Sequence, residues 1–354
     1  MRKTESGIKE AQRNLGLDLL KLLSCFGVIL LHTMHDASNI FCFAIYQGAG
    51  FAVPCFFMTS GYVLLNRGKV GIHYAGKKIG KILRIVALWN LLVRIAVLLR
   101  NVISGNTDID LRTQLANYFK NSIRGLMQRG ALWQFWYLGA LTLIYLLLPV
   151  ISKFFYSEIP IKRYQRLSIC WIILVAVSVT IQLLSYARGI SFQNQVIQTF
   201  RVWTWLQYFI LGGLIPPLEG IMKKVLLRKH GLFLLALTAA AVAIRMAAGC
   251  DRLGTTFAEY FYDDPLTIIW MAVLFTFVLR VEIGDHLCNV VGSLIPLTMG
   301  VYIMHPIIQK IIEAFLDING AVMMGLEFLV LCLTSFAGTF IIKKLPFGKY
   351  LVEI

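Results

Sequence analysis

The sequence is poor in charged residues, and poorest in acids. Only 15% of its 354 residues are charged, against about 25% in an average soluble domain, and 18 Asp and Glu stand against 34 Lys and Arg. Together with a hydrophobic fraction of 58%, this excludes a soluble enzyme and a disordered chain. The seven cysteines form no CxxC pair and no metal-ligand spacing, which excludes a disulfide scaffold and predicts that the protein holds no metal.

The charge that is present lies between apolar blocks. A formal net charge of +16 could indicate a nucleic-acid-binding protein, but such proteins concentrate their basic residues on a hydrophilic domain. Here apolar segments of about 20 residues recur along the whole chain, and each is long enough to cross roughly 30 Å of hydrocarbon. The pattern predicts an all-α, polytopic membrane bundle with no soluble domain and no nucleic-acid partner.

The apolar blocks predict about ten transmembrane helices in a single domain that comprises residues 1–354. The predicted spans are Leu15–Met34, Ala44–Leu65, Ile82–Leu99, Ala131–Ile151, Ser168–Ala187, Val202–Leu218, Gly231–Ala248, Leu266–Leu279, Leu294–Phe315 and Ala321–Ile342. They leave a polar N-terminal segment, residues 1–14, and a C-terminal tail, residues 343–354. The N-terminal segment is followed by no small-residue cleavage pattern, so we expect the first helix to be retained.

An even number of spans places both termini on one side of the membrane. More of the Lys and Arg residues fall in the connections on that side than in the opposite set, which predicts cytoplasmic termini by the positive-inside rule. The expected location is therefore the cell membrane, as a multi-pass protein.

The first span carries the densest set of ionisable residues, Asp18, Lys21 and His32. Lys21 and His32 are 11 positions apart, which on a helix is three turns with about 20° of drift, or roughly 16 Å along the axis. Both side chains therefore lie on one helix face, and ionisable groups inside a span normally face a bundle interior. Alternatively, Lys21 reaches the headgroups and pairs with Asp18, while His32 donates to the carbonyl of a neighbouring helix.

The second and third spans contribute further polar candidates. Ser60 and Tyr62 flank Gly61 within an apolar run, where Gly61 would allow close helix approach and Ser60 would either line a cavity or bond to its own helix. Lys81 and Arg84 lie one turn apart at the start of the third span. A cytoplasmic anchor explains the neighbouring lysines, but Arg84 lies deeper and is predicted to clamp a phosphate or carboxylate.

Two later stretches combine aromatic and polar residues. The run that contains Trp136, residues 133–137, is typical of an aromatic belt at a membrane interface. In the ninth span, Pro306 cannot donate to the carbonyl of Tyr302, which predicts a kink and a free acceptor beside His305. Tyr302 and His305 are therefore candidates for a cavity wall.

Taken in order, these stretches resemble the acyltransferase-3 family of integral membrane O-acyltransferases over nearly the whole chain. The stretches that carry the resemblance are Leu17-Asp18-Leu19-Leu20-Lys21 with His32, Phe56-Phe57-Met58-Thr59-Ser60-Gly61-Tyr62, Lys81-Ile82-Leu83-Arg84, Trp136-Tyr137-Leu138 with Tyr145, Leu148 and Pro149, and Tyr302-Ile303-Met304-His305-Pro306. Two positions depart from the family pattern, because Lys21 replaces the usual Arg and Lys81 stands where Arg is common. Both replacements keep a cation but lose the bidentate fork of arginine.

The resemblance implies an acyltransferase that moves an acetyl or other short acyl group from cytoplasmic acyl-CoA, the donor substrate, to a hydroxyl of a cell-surface or lipid-linked glycan. His32 would be the general base, with Lys21 in catalysis or in donor binding alone. Lys81 and Arg84 would hold the phosphates of coenzyme A. The residues expected to line the substrate cavity are Asp18, Ser60, Tyr62, Trp136, Tyr302 and His305.

The sequence is also compatible with two other functions. A transporter or flippase of an anionic or glycolipid substrate would use Lys21, His32 and His305 as binding or proton-relay groups, although the hydropathy pattern has no inverted repeat. A catalytically silent sensor or scaffold is the third possibility. Membrane lipids are partners in every case, and the sequence predicts no oligomeric state.

Overall fold

The computed structural model describes residues 14–36, 38–105, 110–225, 228–257, 261–282 and 284–354, and for residues 221–225 and 228–230 it describes the backbone alone. The predicted N-terminal segment lies outside the described residues except for Asn14, whose side chain caps the first helix by accepting from the backbone N–H of Leu17 at 3.1 Å. The described part of the chain contains helices and no strands, which confirms the all-α fold.

The first half of the chain forms seven helices. They are α1 (Leu15–Thr33), α2 (Ile40–Ala49), α3 (Ala52–Asn66), α4 (Ile72–Ile103), α5 (Leu111–Leu126), α6 (Trp136–Phe155) and α7 (Pro160–Arg188). The second half adds α8 (Val202–Val225), α9 (Arg228–Leu253), α10 (Pro265–Leu279), α11 (Asp285–Leu294), α12 (Thr298–Glu313), α13 (Gly320–Lys344) and the short α14 (Lys349–Val352). Helix α1 packs against α3, α10, α12 and α13, so it lies inside the bundle.

Eight helical segments of the described chain are long and apolar enough to cross a membrane, which fits a polytopic membrane bundle. They are Leu15–Thr33, Ile40–Asn66, Ile72–Ile103, Trp133–Phe155, Pro160–Arg188, Gly231–Leu253, Asp285–Glu313 and Gly320–Lys344. Helix α10 is apolar but shorter. The count of ten therefore stays a prediction.

Helices α3 and α8 approach each other through two glycines. A Cβ atom on Gly61 would lie 1.7 Å from the carbonyl oxygen of Phe209, and one on Gly212 would lie 2.0 Å from that of Met58. No larger side chain fits at either position without moving a backbone. The close approach expected at Gly61 is confirmed, and it packs α8 directly against α3.

Several element boundaries differ from the sequence expectation. The second span is broken into α2 and α3 at Gly50 and Phe51, and Pro54 lies in the first turn of α3. Helix α4 begins at Ile72, ten residues before the predicted start, because the basic residues of this stretch are good helix formers that hydropathy alone leaves out. The predicted tail begins inside α13, which continues to Lys344.

Helix α5 is an element that hydropathy does not reveal. Its exposed face carries Leu111, Leu115, Phe119 and Ile123, whereas the face towards the bundle is polar and includes Tyr118, whose hydroxyl donates to the carbonyl of Ala87 at 3.2 Å. An amphipathic helix with its apolar side facing outward is typical of helices that lie along a membrane interface, and α5 has this arrangement.

The N-terminus of α5 is capped by Asp110. The Asp110 carboxylate accepts from the backbone N–H groups of Arg112 and Thr113 at 3.1 and 3.0 Å. The Thr113 hydroxyl donates to the same carboxylate, and these hydrogen bonds hold the pKa of Asp110 below its ordinary value.

Candidate functional site

A cavity of about 370 Å³ lies beside the second half of α1. Its wall is mostly aromatic and apolar, with a few amide and hydroxyl groups. The lining residues are Val28, Leu31, His32, Tyr46, Val53, Phe56, Gln128, Trp133, Gln134, Trp136, Tyr137, Gln198, Phe257, Tyr262, Thr298, Met299 and Tyr302. The cavity therefore collects side chains from α1, α2, α3, α6 and α12 and from the turns between helices, in the size range of small-molecule sites.

His32 provides the one imidazole among these lining residues. It lies one residue before the C-terminal end of α1 and is half-buried. Its ring centroid lies 5.1 Å from that of Trp133 and 5.0 Å from that of His305. His32 and His305 were each expected at the cavity. The structure places their rings in contact, but His305 is fully buried and is not among the lining residues.

Helix α12 is fixed against this end of α1. The Gln309 amide Nε2 donates to the backbone carbonyl of His32 at 2.9 Å. The Tyr302 hydroxyl donates to the backbone carbonyl of Gln134, and Gln134 Nε2 donates to the carbonyl of Ile303 at 3.3 Å. Because these bonds join three chain segments around His32, they hold the cavity wall in place.

The helix bond that Pro306 removes is compensated locally. Helix α12 continues through Pro306, and the carbonyl of Tyr302, which has lost its usual backbone donor, interacts with the side chain of His305. His305 Nδ1 also lies 2.9 Å from the carbonyl oxygen of Val301. The acceptor expected beside Pro306 is therefore engaged by His305 itself.

Two glutamines supply acceptors that sequence reasoning missed. Gln134 and Gln198 both line the cavity, and the amide oxygen of each is buried with no hydrogen-bond partner in the described part of the chain. Gln198 is held from its backbone N–H, which donates to Gln128 Oε1 at 3.2 Å. A buried acceptor without a partner is costly, so a ligand that donates hydrogen bonds is expected to satisfy these oxygens. For Gln134 the sequence signal was a polar residue inside an aromatic run, and Gln198 had no such signal.

The aromatic run of residues 133–137 belongs to the bundle interior. Phe135 is completely buried, Trp136 is 7% exposed, and the Trp136 ring lies 5.3 Å from that of Trp205. The interpretation as an interfacial belt is therefore wrong for these rings, because the 3₁₀ turn Trp133–Phe135 directs them into the core. Trp136 and Tyr302 line the cavity, as expected for the substrate site.

The first half of α1 lies in a different environment, near a cluster of cations. Lys78, on α4, is half-buried and interacts electrostatically with Lys81, Arg67, Lys21 and Lys77. We call these five residues the basic cluster. Lys21 Nζ lies 4.0 Å from the carboxylate of Asp18, as the pairing alternative predicts.

Arg84 is occupied by the C-terminal segment. Its Nε donates to the carbonyl of Tyr350 at 3.2 Å and its Nη2 to that of Glu353 at 3.1 Å, and its guanidinium lies 4.7 Å from the Tyr350 ring centroid. Trp89 Nε1 donates to the carbonyl of Leu351 at 2.9 Å. Sequence reasoning could not find these contacts, since they join residues more than 260 positions apart.

The remaining predicted cavity residues do not line the cavity. Ser60 Oγ donates to its own helix, to the carbonyl of Phe56 at 3.0 Å, which is the alternative that the sequence left open. The Tyr62 ring packs 6.1 Å from the ring of Phe275. Asp18 and Lys21 lie about two to four turns before the lining residues of α1. Among the described residues, no group of three or more His, Cys, Asp or Glu side chains is placed to hold a metal ion.

The chain matches a known protein family. A family model described as an acyltransferase domain matches residues 14–344, which is essentially the whole chain. No curated protein and no solved structure matches the chain significantly. The match includes α1, with His32 and Lys21, and every residue that lines the cavity.

Proposed function

Since the chain belongs to this acyltransferase family, we propose that it is a membrane O-acyltransferase that moves an acetyl or other short acyl group from acyl-CoA to a hydroxyl of a cell-surface or lipid-linked glycan. The observation that carries the proposal is the position of His32, an imidazole at the wall of a 370 Å³ cavity with aromatic sides. A neutral imidazole has an unprotonated ring nitrogen that can take a proton from a hydroxyl.

In the proposed reaction, His32 is the general base. One ring nitrogen of His32 takes the proton of the acceptor hydroxyl as the oxygen attacks the thioester carbonyl and forms the new C–O bond. The C–S bond then breaks, and the imidazolium returns the proton to the departing thiolate, so the products are the ester and free coenzyme A. The transfer changes no oxidation state.

The donor would bind with its phosphates at the basic cluster. Lys21 and Lys81 present cations at the opposite end of α1 from His32, and ammonium groups bind phosphate as point charges. Lys78 lies beside them and also donates from Nζ to the carbonyl oxygen of Ile354 at 3.3 Å. The 11 residues from Lys21 to His32 correspond to roughly 16 Å along the helix. The extended pantetheine arm of coenzyme A suits this separation. Arg84 would join the donor site only if the C-terminal segment releases it.

The acceptor would bind in the His32 cavity. A glycan hydroxyl is a hydrogen-bond donor, and the unpaired amide oxygens of Gln134 and Gln198 are acceptors for such groups. The faces of Trp133 and Trp136 offer apolar surface to the C–H faces of a sugar. In this arrangement the Lys21 end of α1 faces the cytoplasm, where acyl-CoA is found, as the basic connections predict.

The test is acyl transfer by the purified protein in detergent. Labelled acetyl-CoA and a panel of hydroxylated glycan acceptors should yield labelled ester together with free coenzyme A, with His32→Ala as the matched negative control. Acceptor-dependent release of coenzyme A that disappears in the variant supports the proposal. A folded protein that binds acetyl-CoA without transferring the acyl group to any acceptor, yet moves a glycolipid between compartments in vesicles, would instead support the transporter.

A further inference from the structure

His305 has one ring nitrogen that is committed and one that is not. Its side chain is completely buried on α12, and Nδ1 lies 2.9 Å from the backbone carbonyl oxygen of Val301. A carbonyl oxygen only accepts hydrogen bonds, so Nδ1 carries the proton. A neutral imidazole has a single N–H group, and Nε2 therefore presents its lone pair and is an acceptor.

That acceptor has no hydrogen-bond partner in the part of the chain that the structure describes. The nearby Tyr302 hydroxyl is used elsewhere, since it donates to the carbonyl of Gln134, and one N–H of the Gln309 amide donates to the carbonyl of His32. The ring of His32 lies edge-on to that of His305, with centroids 5.0 Å apart and an interplanar angle of 63°. The ring N–H of His32 is the neighbouring donor that can reach His305 by a small rotation.

We propose that His305 is the positioning residue of the base, an inference that rests on the proposed function. When the glycan is bound, Nε2 of His305 accepts a hydrogen bond from the N–H of His32. The other ring nitrogen of His32 is then unprotonated and faces the cavity. The proton of the glycan hydroxyl moves to that cavity-facing nitrogen and is later transferred to the departing thiolate of coenzyme A. The N–H shared with His305 stays on His32, so His305 ends each turnover unchanged.

The backbone around the pair fixes its geometry. The bond between Nδ1 and the carbonyl of Val301, at 2.9 Å, restrains the rotation of the His305 ring. Gln309, one turn further along α12, bonds to the backbone of His32. Nε2 of His305 on α12 and the ring of His32 on α1 are therefore held at a fixed relative position, which a residue that orients a catalytic imidazole requires.

A pair of substitutions separates this role from a structural one. His305→Asn places an amide where Nδ1 stands and keeps a donor for Val301, but it removes the acceptor that faces His32. His305→Gln places its amide at the distance of Nε2 and keeps that acceptor, but it loses the bond to Val301. We expect His305→Asn to lower kcat about 10- to 100-fold with an unchanged KM for acyl-CoA, and His305→Gln to retain kcat within a few-fold.

The reverse order, an active His305→Asn and an impaired His305→Gln, would show that His305 only anchors its helix, and equal losses in both would exclude the acceptor role. Wild-type protein and His32→Gln are measured in parallel. A wild type that transfers no acyl group, or an active His32→Gln, contradicts the proposed function. An active wild type, an inactive His32→Gln and full activity in both His305 variants contradict the positioning role alone.

A second measurement needs no variant to be active. In the ¹⁵N spectrum of histidine-labelled wild-type protein, assigned by the signals lost in His305→Gln, Nε2 of His305 should have the chemical shift of an unprotonated nitrogen. A protonated Nε2 would overturn the proposal even if His305→Asn does not fold.

Discussion

The two ends of α1 differ in what surrounds them. At the Lys21 end, five cations lie together on α1, on α4 and between α3 and α4, with Asp18 as the acid next to Lys21. At the His32 end, the neighbours are aromatic rings, amides and a second imidazole, arranged around a cavity. One end is suited to hold a multiply charged group, and the other to move a proton in a partly desolvated space.

This difference indicates that binding of the donor phosphates and the chemistry of transfer are separated along one helix. Uniform binding energy and transition-state stabilisation have different kinetic signatures, because the first changes KM and the second changes kcat. Substitutions at the two ends should therefore change different kinetic constants.

The largest expected effect is at the cavity end. His32→Ala should lower kcat by about 10²- to 10⁴-fold, the usual contribution of a positioned base, and leave KM for acyl-CoA unchanged. His35→Ala is the matched control, since His35 lies three residues further on and is exposed. Steady-state kinetics at matched protein concentration measures both. A loss of equal size in the control would contradict the assignment.

The next effect is at the basic cluster. Lys81→Gln should raise KM for acyl-CoA about 10-fold or more with a smaller change in kcat, because it removes one charge-assisted phosphate contact. Lys120→Gln, on the exposed side of α5, serves as the control for loss of one positive charge. Lys81→Gln with an unchanged KM would remove the donor phosphates from this cluster.

Substitution of Arg84 separates a role in the fold from a role in donor binding. Because its guanidinium bonds to the carbonyls of Tyr350 and Glu353, Arg84→Ala should loosen the C-terminal segment as well as any donor contact. We therefore expect greater protease sensitivity after residue 344 together with a raised KM for acyl-CoA. Greater protease sensitivity with an unchanged KM would assign Arg84 to the fold alone.

A more moderate effect is expected from filling the cavity. Val28→Phe enlarges a side chain that lines the cavity one turn before His32, and it should lower kcat/KM for the glycan about 10-fold. Leu23→Phe makes a comparable change at an exposed position of α1 and should leave transfer unchanged. If both variants act alike, the cavity is not the acceptor site.

The smallest effect is expected from Tyr302→Phe, which removes only the hydroxyl that donates to the carbonyl of Gln134. A net loss of about 1 kcal/mol corresponds to a change of about fivefold in kcat, with KM for acyl-CoA unaffected. A loss as large as that of His32→Ala would instead place the Tyr302 hydroxyl in the reaction itself.

The sequence predicted the fold class well, because hydropathy is a local signal. It also expected His32 at a cavity, where the structure places it, whereas Lys21, 11 residues earlier, does not line that cavity. It predicted the family from motifs that a family model matches. It missed α5, whose alternation of polar and apolar residues lowers its mean hydropathy below that of a span. Helix boundaries were wrong where basic residues continue a helix, as at the start of α4.

The parts of the site that could not be predicted depend on long-range contacts. The residues of the aromatic run, read as a belt, turn inward because a 3₁₀ turn precedes α6. The contacts of Arg84 and the acceptor role of His305 Nε2 both depend on partners from distant segments. The sequence marked His305 as a wall residue, but only the bond to Val301 shows which of its nitrogens carries the proton.

The most direct test of the central claim is a paired measurement on His32→Gln. The glutamine keeps a hydrogen-bond donor but is far too weak a base, so acyl transfer should fall as far as in His32→Ala, while the Kd for acyl-CoA in isothermal titration stays at the wild-type value. A His32→Gln variant that transfers acyl groups at the wild-type rate would contradict the account.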